Sequence, residues 1–579
     1  MVGDEKRMTI ADYLDASTGA ETPLLDDVVD YKGRPVLRKS SGGWRSASFV
    51  IVVEILEKLA YYGISSNLIT YLTGPLGQST ATAAQNVNAW LGTALLLPLF
   101  GAFVADTFLG RYRTIVVASL LEILGLGMLT LSAMLPSLNH SLDCHEMDDV
   151  KSCHPSRIHV ILFFSSLYLV AVSQGGFKPC LQAFAADQFD GNNLEERKAK
   201  SSFFNWWYFG FSGGTLLAYG TVSIQENLGW SLGFGILCIV MAVGLIVLVL
   251  GTRAYRYSVK GDAEHPFIRI YRVFAATFGN WRTPPSEIAI EDQESRGILP
   301  HESSEQFKFL NKALLAPIGL KEDGKVCSAA QVEEAKAVLR LVPIWVTCLV
   351  YGIVFSQSST LFTKQGSTME RKISSNFYVP AASLQSFITI GILLFVPIYD
   401  RIFVPIARAF TKKPSGITKL QRIGIGIFFS LLSMVVAAVV EMKRLKTAQE
   451  YDLVDRPSLT IPMSVMWLVP QYLLFGIADV FTVIGLQEFF YDQVPSELRS
   501  LGLALYLSIF GVGHFLSGFL ISFIEKTTSG GGTDSWFSNN LNRAHLDYFY
   551  WLLAGLSAIQ LLVYLYFAKS YIYYRGFTK

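Results

Sequence analysis

Twelve stretches of mostly apolar residues punctuate this chain, and no other feature limits its fold so strongly. They fall at residues 49–71, 87–108, 115–135, 158–184, 203–223, 232–251, 337–361, 378–403, 423–441, 463–490, 501–524 and 548–571. Each is near the roughly 20 residues that a helix needs to cross a bilayer. A lipid-embedded backbone must satisfy its polar groups internally, so each stretch is expected to be helical. The longest gap, residues 252–336, is polar and divides the spans into six and six. The expected fold is therefore an all-α membrane protein of 12 transmembrane helices in two six-helix bundles.

Composition agrees. Hydrophobic residues make up 51% of the 579 positions and charged ones 16%, against roughly 25% charged in a soluble domain. The net charge of +2 argues neither for nor against a nucleic-acid partner, and no basic run interleaved with aromatics suggests one. The expected parts are a cytosolic N-terminal tail (1–46), a first bundle (47–252), a cytosolic linker with a lateral helix (253–336), a second bundle (337–571) and a cytosolic C-terminal tail (572–579). The tail reads as flexible. Within the linker, "AAQVEEAKAVLRLV" has helical periodicity and is expected to run straight into the seventh span.

Lysine and arginine placement orients the first half with both termini and the linker in the cytosol. Lys364, Arg371, Lys372, Lys443, Arg444 and Lys446 fall on the opposite, outer side and fit less well. The loop of residues 136–157 is expected outside. It carries Cys144 and Cys153, read as a disulfide in preference to a zinc site with His145 and His154. It also carries Asn139 in an Asn-His-Ser glycosylation pattern.

The first span breaks its own rule. "EILEK" puts Glu54, Glu57 and Lys58 amid apolar residues, and a central charge costs at least about 2.5–3.5 kcal/mol. Spacings of three and four residues place them on one helical face, with Tyr61 extending it. Two readings stand: a buried ion-pair clamp, or a carboxylate whose proton affinity depends on a neighbouring lysine and on water. Lys178 in "SQGGFKP" and Glu488 in "LQEFFYDQ" add an opposite-charge pair, one from each half, suited to hold a gate. Glu122, Asp479 and His514 are further intramembrane polar candidates. No histidine cluster, nucleophile elbow or phosphate loop points to an enzyme or a primary pump.

Six spans, a long linker and six spans is the plan of the major facilitator fold. Within it, "EILEKLAYYG", "GAFVADTFLGRYRT", "SQGGFKP", "FFNWWYFG" and "LQEFFYDQVPSELRS" resemble, in order, motifs of the proton-coupled oligopeptide transporters. The tail "VDYKGRPVLRKSSGGW" and the long linker resemble the plant nitrate and peptide transporter branch. The resemblance implies a proton-coupled symporter that moves nitrate or a small carboxylate or peptide-like solute, with protons in place of any cofactor. It assigns proton coupling to Glu54, Glu57 and Lys58, a gate pair to Lys178 and Glu488, and pocket roles to Tyr61 and Tyr62. Thr114 matches a phosphorylated threonine, which makes a protein kinase a candidate partner beside the solute, the lipid bilayer and, at most, a second copy in a weak homodimer.

One position departs from the nitrate pattern: Phe355 stands where the nitrate transporter has an anion-binding histidine, with Gln357 and Ser358 nearby as neutral donors. A solute sensor on a transporter scaffold is the competing reading. "ETPLLDD" resembles a dileucine sorting signal, so the vacuolar and the plasma membrane are both expected locations.

Overall fold

The computed structural model describes residues 24–38, 41–138, 156–190, 193–258, 266–281, 306–314, 327–374, 377–412, 417–494, 499–529 and 535–573. Cys144, Cys153 and Asn139 lie outside them.

The first six spans are Gly43–Ser65, Thr80–Val104, Arg111–Leu138, Arg157–Ala186, Leu194–Asn227 and Trp230–Leu250. Their ends follow from local chemistry. Ser79 and Ser156 accept from the first free backbone N–H groups of the second and fourth spans, and Asn193 does so for the fifth.

The seventh span is the helix Ala329–Thr347 followed by Leu349–Phe355, with a 47° bend between them. A capping box of Ser328 and Gln331 starts it. The helical linker stretch does continue into the seventh span, as the periodicity predicts, up to the bend after Thr347. The remaining spans are Ser386–Ile398 with its continuation Val404–Thr411, then Lys419–Glu450, Val469–Asp492, Arg499–Thr528 and Leu546–Ser570.

Packing repeats with an offset of six spans. The third span lies on the fourth and sixth, and the ninth on the tenth and twelfth. The first packs on the fifth, and the seventh on the eleventh. The leading span of each half also ends in a break and a short helix, Leu68–Thr73 in one and Leu361–Ser367 in the other. This repetition is that of the major facilitator fold, two six-helix bundles of like topology. Large apolar side chains such as Leu562 and Tyr566, 70% and 72% exposed, point outward, as suits a surface that faces lipid.

Close helix crossings depend on a few glycines. A Cβ on Gly101 of the second span would sit 1.8 Å from the carbonyl oxygen of Gly175 on the fourth. Two backbones meet there, and neither can swing aside. Gly101→Val is therefore expected to destabilise the first bundle by about 3 kcal/mol or more, at the upper end of overpacking costs. A thermal unfolding scan of the purified variant in detergent checks this, and a wild-type melting temperature would contradict the crossing.

The sequence expectation errs in two places. Part of the tail read as flexible is a folded hairpin. Strands β1 (Leu24–Val29) and β2 (Pro35–Leu37) pair with each other, and β1 also pairs with β3 (Tyr257–Ser258) after the sixth span. Leu25 of the dileucine stretch is buried there. Arg256 fastens this layer: its guanidinium donates to Glu196 at 2.7 Å and to the carbonyl oxygens of Arg38 and Ser41.

The ninth helix also continues to Glu450, past the expected end at residue 441, so Arg444 is not a loop residue. Its side chain is fully buried, with Glu441 at 2.6 and 2.8 Å. An acid three residues before it on one face supplies the counter-charge that lets the helix go on.

Candidate transport site between the two halves

The first span brings Glu54, Glu57 and Lys58 together as its spacing predicts. The Lys58 ammonium lies 2.5 Å from a Glu57 carboxylate oxygen and 3.5 Å from one of Glu54. All three side chains are buried. One lysine thus serves two carboxylates, and the other oxygen of Glu57 has no partner. Lys58 also faces the ring of Phe211 on the fifth span, 5.4 Å from its centroid.

Tyr61 continues the face. Its ring stacks on Trp90 of the second span at 5.7 Å and meets Tyr62 edge-on at 5.3 Å. Lys178 comes down on the other side, its ammonium 4.1 Å from the Tyr61 ring centroid. An aromatic face offers a desolvated cation some stabilisation but no neutralising charge. Lys178 therefore keeps an electrostatic demand that an anion or carboxylate meets.

The gate pair read from the sequence is not formed here. Glu488 lies 3.3 Å from Arg422 on the neighbouring ninth span, and its side chain is 47% exposed. Arg422 supplies a cation from within Glu488's own half, while Lys178 stays on Tyr61. The intramembrane candidate Asp479 accepts a 2.5 Å hydrogen bond from Tyr351. Phe355 packs in an aromatic group with Phe475, Phe510 and His514, the last at 6.1 Å. The position that lacks a histidine thus has one beside it, from the eleventh span. Gln357 is buried and donates to Ser517 at 3.0 Å, leaving its own carbonyl oxygen without a partner, while Ser358 bonds to the carbonyl of Phe355.

Thr114 is 5% exposed and donates to the Gly110 carbonyl. A kinase reaches that hydroxyl only if the first turn of the third span moves.

Which end of the interface between the halves is tied follows from bonds that cross it. His514 donates from Nδ1 to the Asn88 carbonyl at 3.0 Å, and the Asn88 amide donates to Ser517 at 3.2 Å. Gln385 donates to the Ser66 carbonyl at 2.9 Å and Lys364 to Thr73 at 3.1 Å. Arg371 pairs with Glu226 at 3.4 Å. The last three bonds involve residues at or just beyond the ends of the first, fifth and seventh spans and the start of the eighth, away from the linker. Burial there holds the Lys364 ammonium below the ordinary lysine range. At the linker end, Arg111 pairs with Asp187, Arg256 with Glu196 and Glu488 with Arg422, each within its own half. The described state is tied shut at the end remote from the linker.

Sequence reasoning missed Trp90, Phe211 and Asn88, because aromatic and amide residues in apolar runs carry no sign of which face they occupy. It also missed the Glu226–Arg371 pair, whose members are far apart in the chain.

A bundle pair of this topology, with charged groups buried where its halves meet, defines a membrane transporter of the major facilitator type. The POT family model matches residues 112–537, and this chain belongs to that family. It is 63% identical over 554 residues to protein NRT1/ PTR FAMILY 5.10 of Arabidopsis thaliana, covering 96% of this chain and 97% of the relative. It is 55% identical to NRT1/ PTR FAMILY 5.12 of the same plant, covering 96% and 98%. Among solved structures, an auto-inhibited POT family peptide transporter superposes with a TM-score of 0.69 at 20% identity, covering 92% of this chain and 99% of that one. A POT family transporter in complex with 5-aminolevulinic acid gives 0.62 at 16%, covering 92% and 99%. At such identity these structures bear on the fold alone.

Proposed function

We propose that this chain is a proton-coupled symporter that moves nitrate or a small carboxylate or peptide-like solute across a plant membrane by alternating access. The observation that carries the reading is the buried Glu54–Lys58–Glu57 set beside a lysine, Lys178, that has an aromatic ring in place of a counter-ion.

Coupling follows from charge. An anionic group about 8 Å from a carboxylate, at an effective dielectric of about 20, raises its proton affinity by about 2 kcal/mol, more than tenfold. An anion drawn to Lys178 thus favours a proton on the first span, and a proton there favours the anion. This is the reciprocity that symport requires. In the linker-open state the pair is released, the empty site returns, and the halves rock about the second and eleventh spans. Their crossing suits a pivot: a Cβ on Gly511 would lie 2.8 Å from the Leu96 side chain and 3.2 Å from the Gly92 carbonyl.

The linker end is the cytosolic one in this reading. Three of the basic residues of the opposite end that strain the positive-inside pattern have partners: Arg444 with Glu441, Arg371 with Glu226, Lys443 over the Trp467 ring. Phe355 removes a charged donor from the seventh span, which favours a solute whose carboxylate engages Lys178 and, in a zwitterion, whose amine donates to the unpartnered carbonyl oxygen of Gln357.

The test is a solute screen in cells expressing the chain, covering nitrate, dipeptides and plant carboxylates, with currents recorded at acidic outside pH. One class is expected to evoke an inward current, and Lys178→Ala is expected to abolish it. Solute binding without current or uptake at any pH would favour the sensor reading.

A further inference from the structure

The charges of the site residues already assigned balance among themselves. Glu54, Glu57, Lys58 and Lys178 contribute two negative and two positive charges. A fifth ionisable group lies beside them. Glu122 of the third span is fully buried. Its bonds come from the fourth span: the Ser173 hydroxyl donates at 3.1 Å to one oxygen, and the Gln174 amide at 3.2 Å to the other. Both donors are neutral. Ser173 and Gln174 lie about one helical turn before Lys178.

The charged and titratable groups that face Glu122 come from three neighbouring spans. The first span presents Glu57, Lys58 and Tyr61, and the fourth presents Lys178. The sixth presents Cys238, whose thiol meets the carbonyl of Ile123, the residue after Glu122. The nearer of these lysines to any carboxylate, Lys58, is already engaged with Glu54 and Glu57.

A bare carboxylate in this position has no cation of its own, and its removal from water costs several kcal/mol. Two neutral hydrogen bonds of about 1–1.5 kcal/mol each do not offset that. The neutral acid fits the same contacts. A serine hydroxyl donates to a carboxylate and accepts from a carboxyl, so a proton on Glu122 displaces no heavy atom.

We propose that Glu122 is a second proton-binding site of the transporter, occupied in the state described here and exchanging its proton with the cavity water beside Lys178. The proposal rests on the proton-symport reading for its role in transport, but not for the protonation itself. The balance is simple: with the Glu122 carboxyl neutral, the site carries no net charge. If the Glu122 proton passes to water, the carboxylate left behind supplies Lys178 with a counter-charge and competes with an anionic solute, so the proton on Glu122 and the anion at Lys178 favour each other.

The test is infrared spectroscopy of the purified full-length protein in lipid at neutral pH, comparing wild type with Glu122→Gln. The expected difference is loss of a protonated-carboxyl C=O band. Loss of carboxylate bands instead would overturn the proposal. Should Glu122→Gln fail to fold, Ser173→Ala keeps the acid and removes one donor. It is expected to shift a protonated-carboxyl band, and a shift confined to carboxylate bands would overturn the proposal equally.

Transport separates the two claims. In proteoliposomes, the acid-to-neutral uptake ratio of Glu122→Gln is expected to collapse to unity, while solute exchange without a pH gradient persists. A wild-type ratio in this variant would remove Glu122 from coupling and leave the symport reading standing. A wild type that is itself indifferent to pH would instead sink the symport reading.

Discussion

Glu57→Gln is expected to abolish uptake driven by a pH gradient while leaving the protein folded and competent for solute exchange. Glu57 is the carboxylate closest to the Lys58 ammonium, at 2.5 Å, and is fully buried. Glutamine keeps the shape and removes the charge and the proton site. Lys58 then retains Glu54, which lies 3.5 Å away, so the substitution does not strand a cation and need not unfold the bundle. Counterflow, in which labelled solute outside exchanges for unlabelled solute inside, needs no net proton movement and is expected to continue. The split between a lost gradient response and retained counterflow identifies coupling. If both are lost together with the folded state, the set is an ion-pair clamp, the competing structural reading.

The largest effect on stability is expected at Arg444. It donates to both oxygens of Glu441, to Thr368 and Asn542, and to the carbonyl of Leu541, tying the ninth span to the loop before the twelfth. Arg444→Ala leaves Glu441 buried with Gln365 as its remaining donor. Breaking one side of a buried pair typically costs about 3–5 kcal/mol, whereas replacing both partners with apolar residues is often close to neutral. Arg444→Ala should therefore unfold at a much lower temperature, and Arg444→Met combined with Glu441→Leu should recover most of the loss. Thermal scans of the two purified variants compare them directly. A single variant as stable as wild type would contradict this account of the pair.

How much of this was legible in the sequence depends on the range of the interaction. The first-span triad was readable because its members sit three and four residues apart on one helix, where spacing fixes proximity. The Ser79, Ser156 and Asn193 caps are local for the same reason. Glu441 and Arg444 carry the same signal, but the apolar run stops at residue 441, where the pattern reads as a span end followed by a basic loop. The hairpin of residues 24–38 was not legible, because its partner strand, Tyr257–Ser258, lies more than 200 positions away. The expected Lys178–Glu488 pair illustrates a different limit. A sequence names residues able to pair, whereas the fold decides which partner each one meets. Here Arg422 and Tyr61 hold the two apart.

The central claim is that a proton moves with the solute through the site between the halves. The most direct measurement is uptake into proteoliposomes containing only this chain, with a pH gradient imposed and then collapsed by a protonophore. The solute identified by the screen should accumulate above its outside concentration while the gradient lasts and fall back when it is collapsed. The liposome interior should acidify in step. Equal uptake with and without the gradient, and no acidification, would contradict the account.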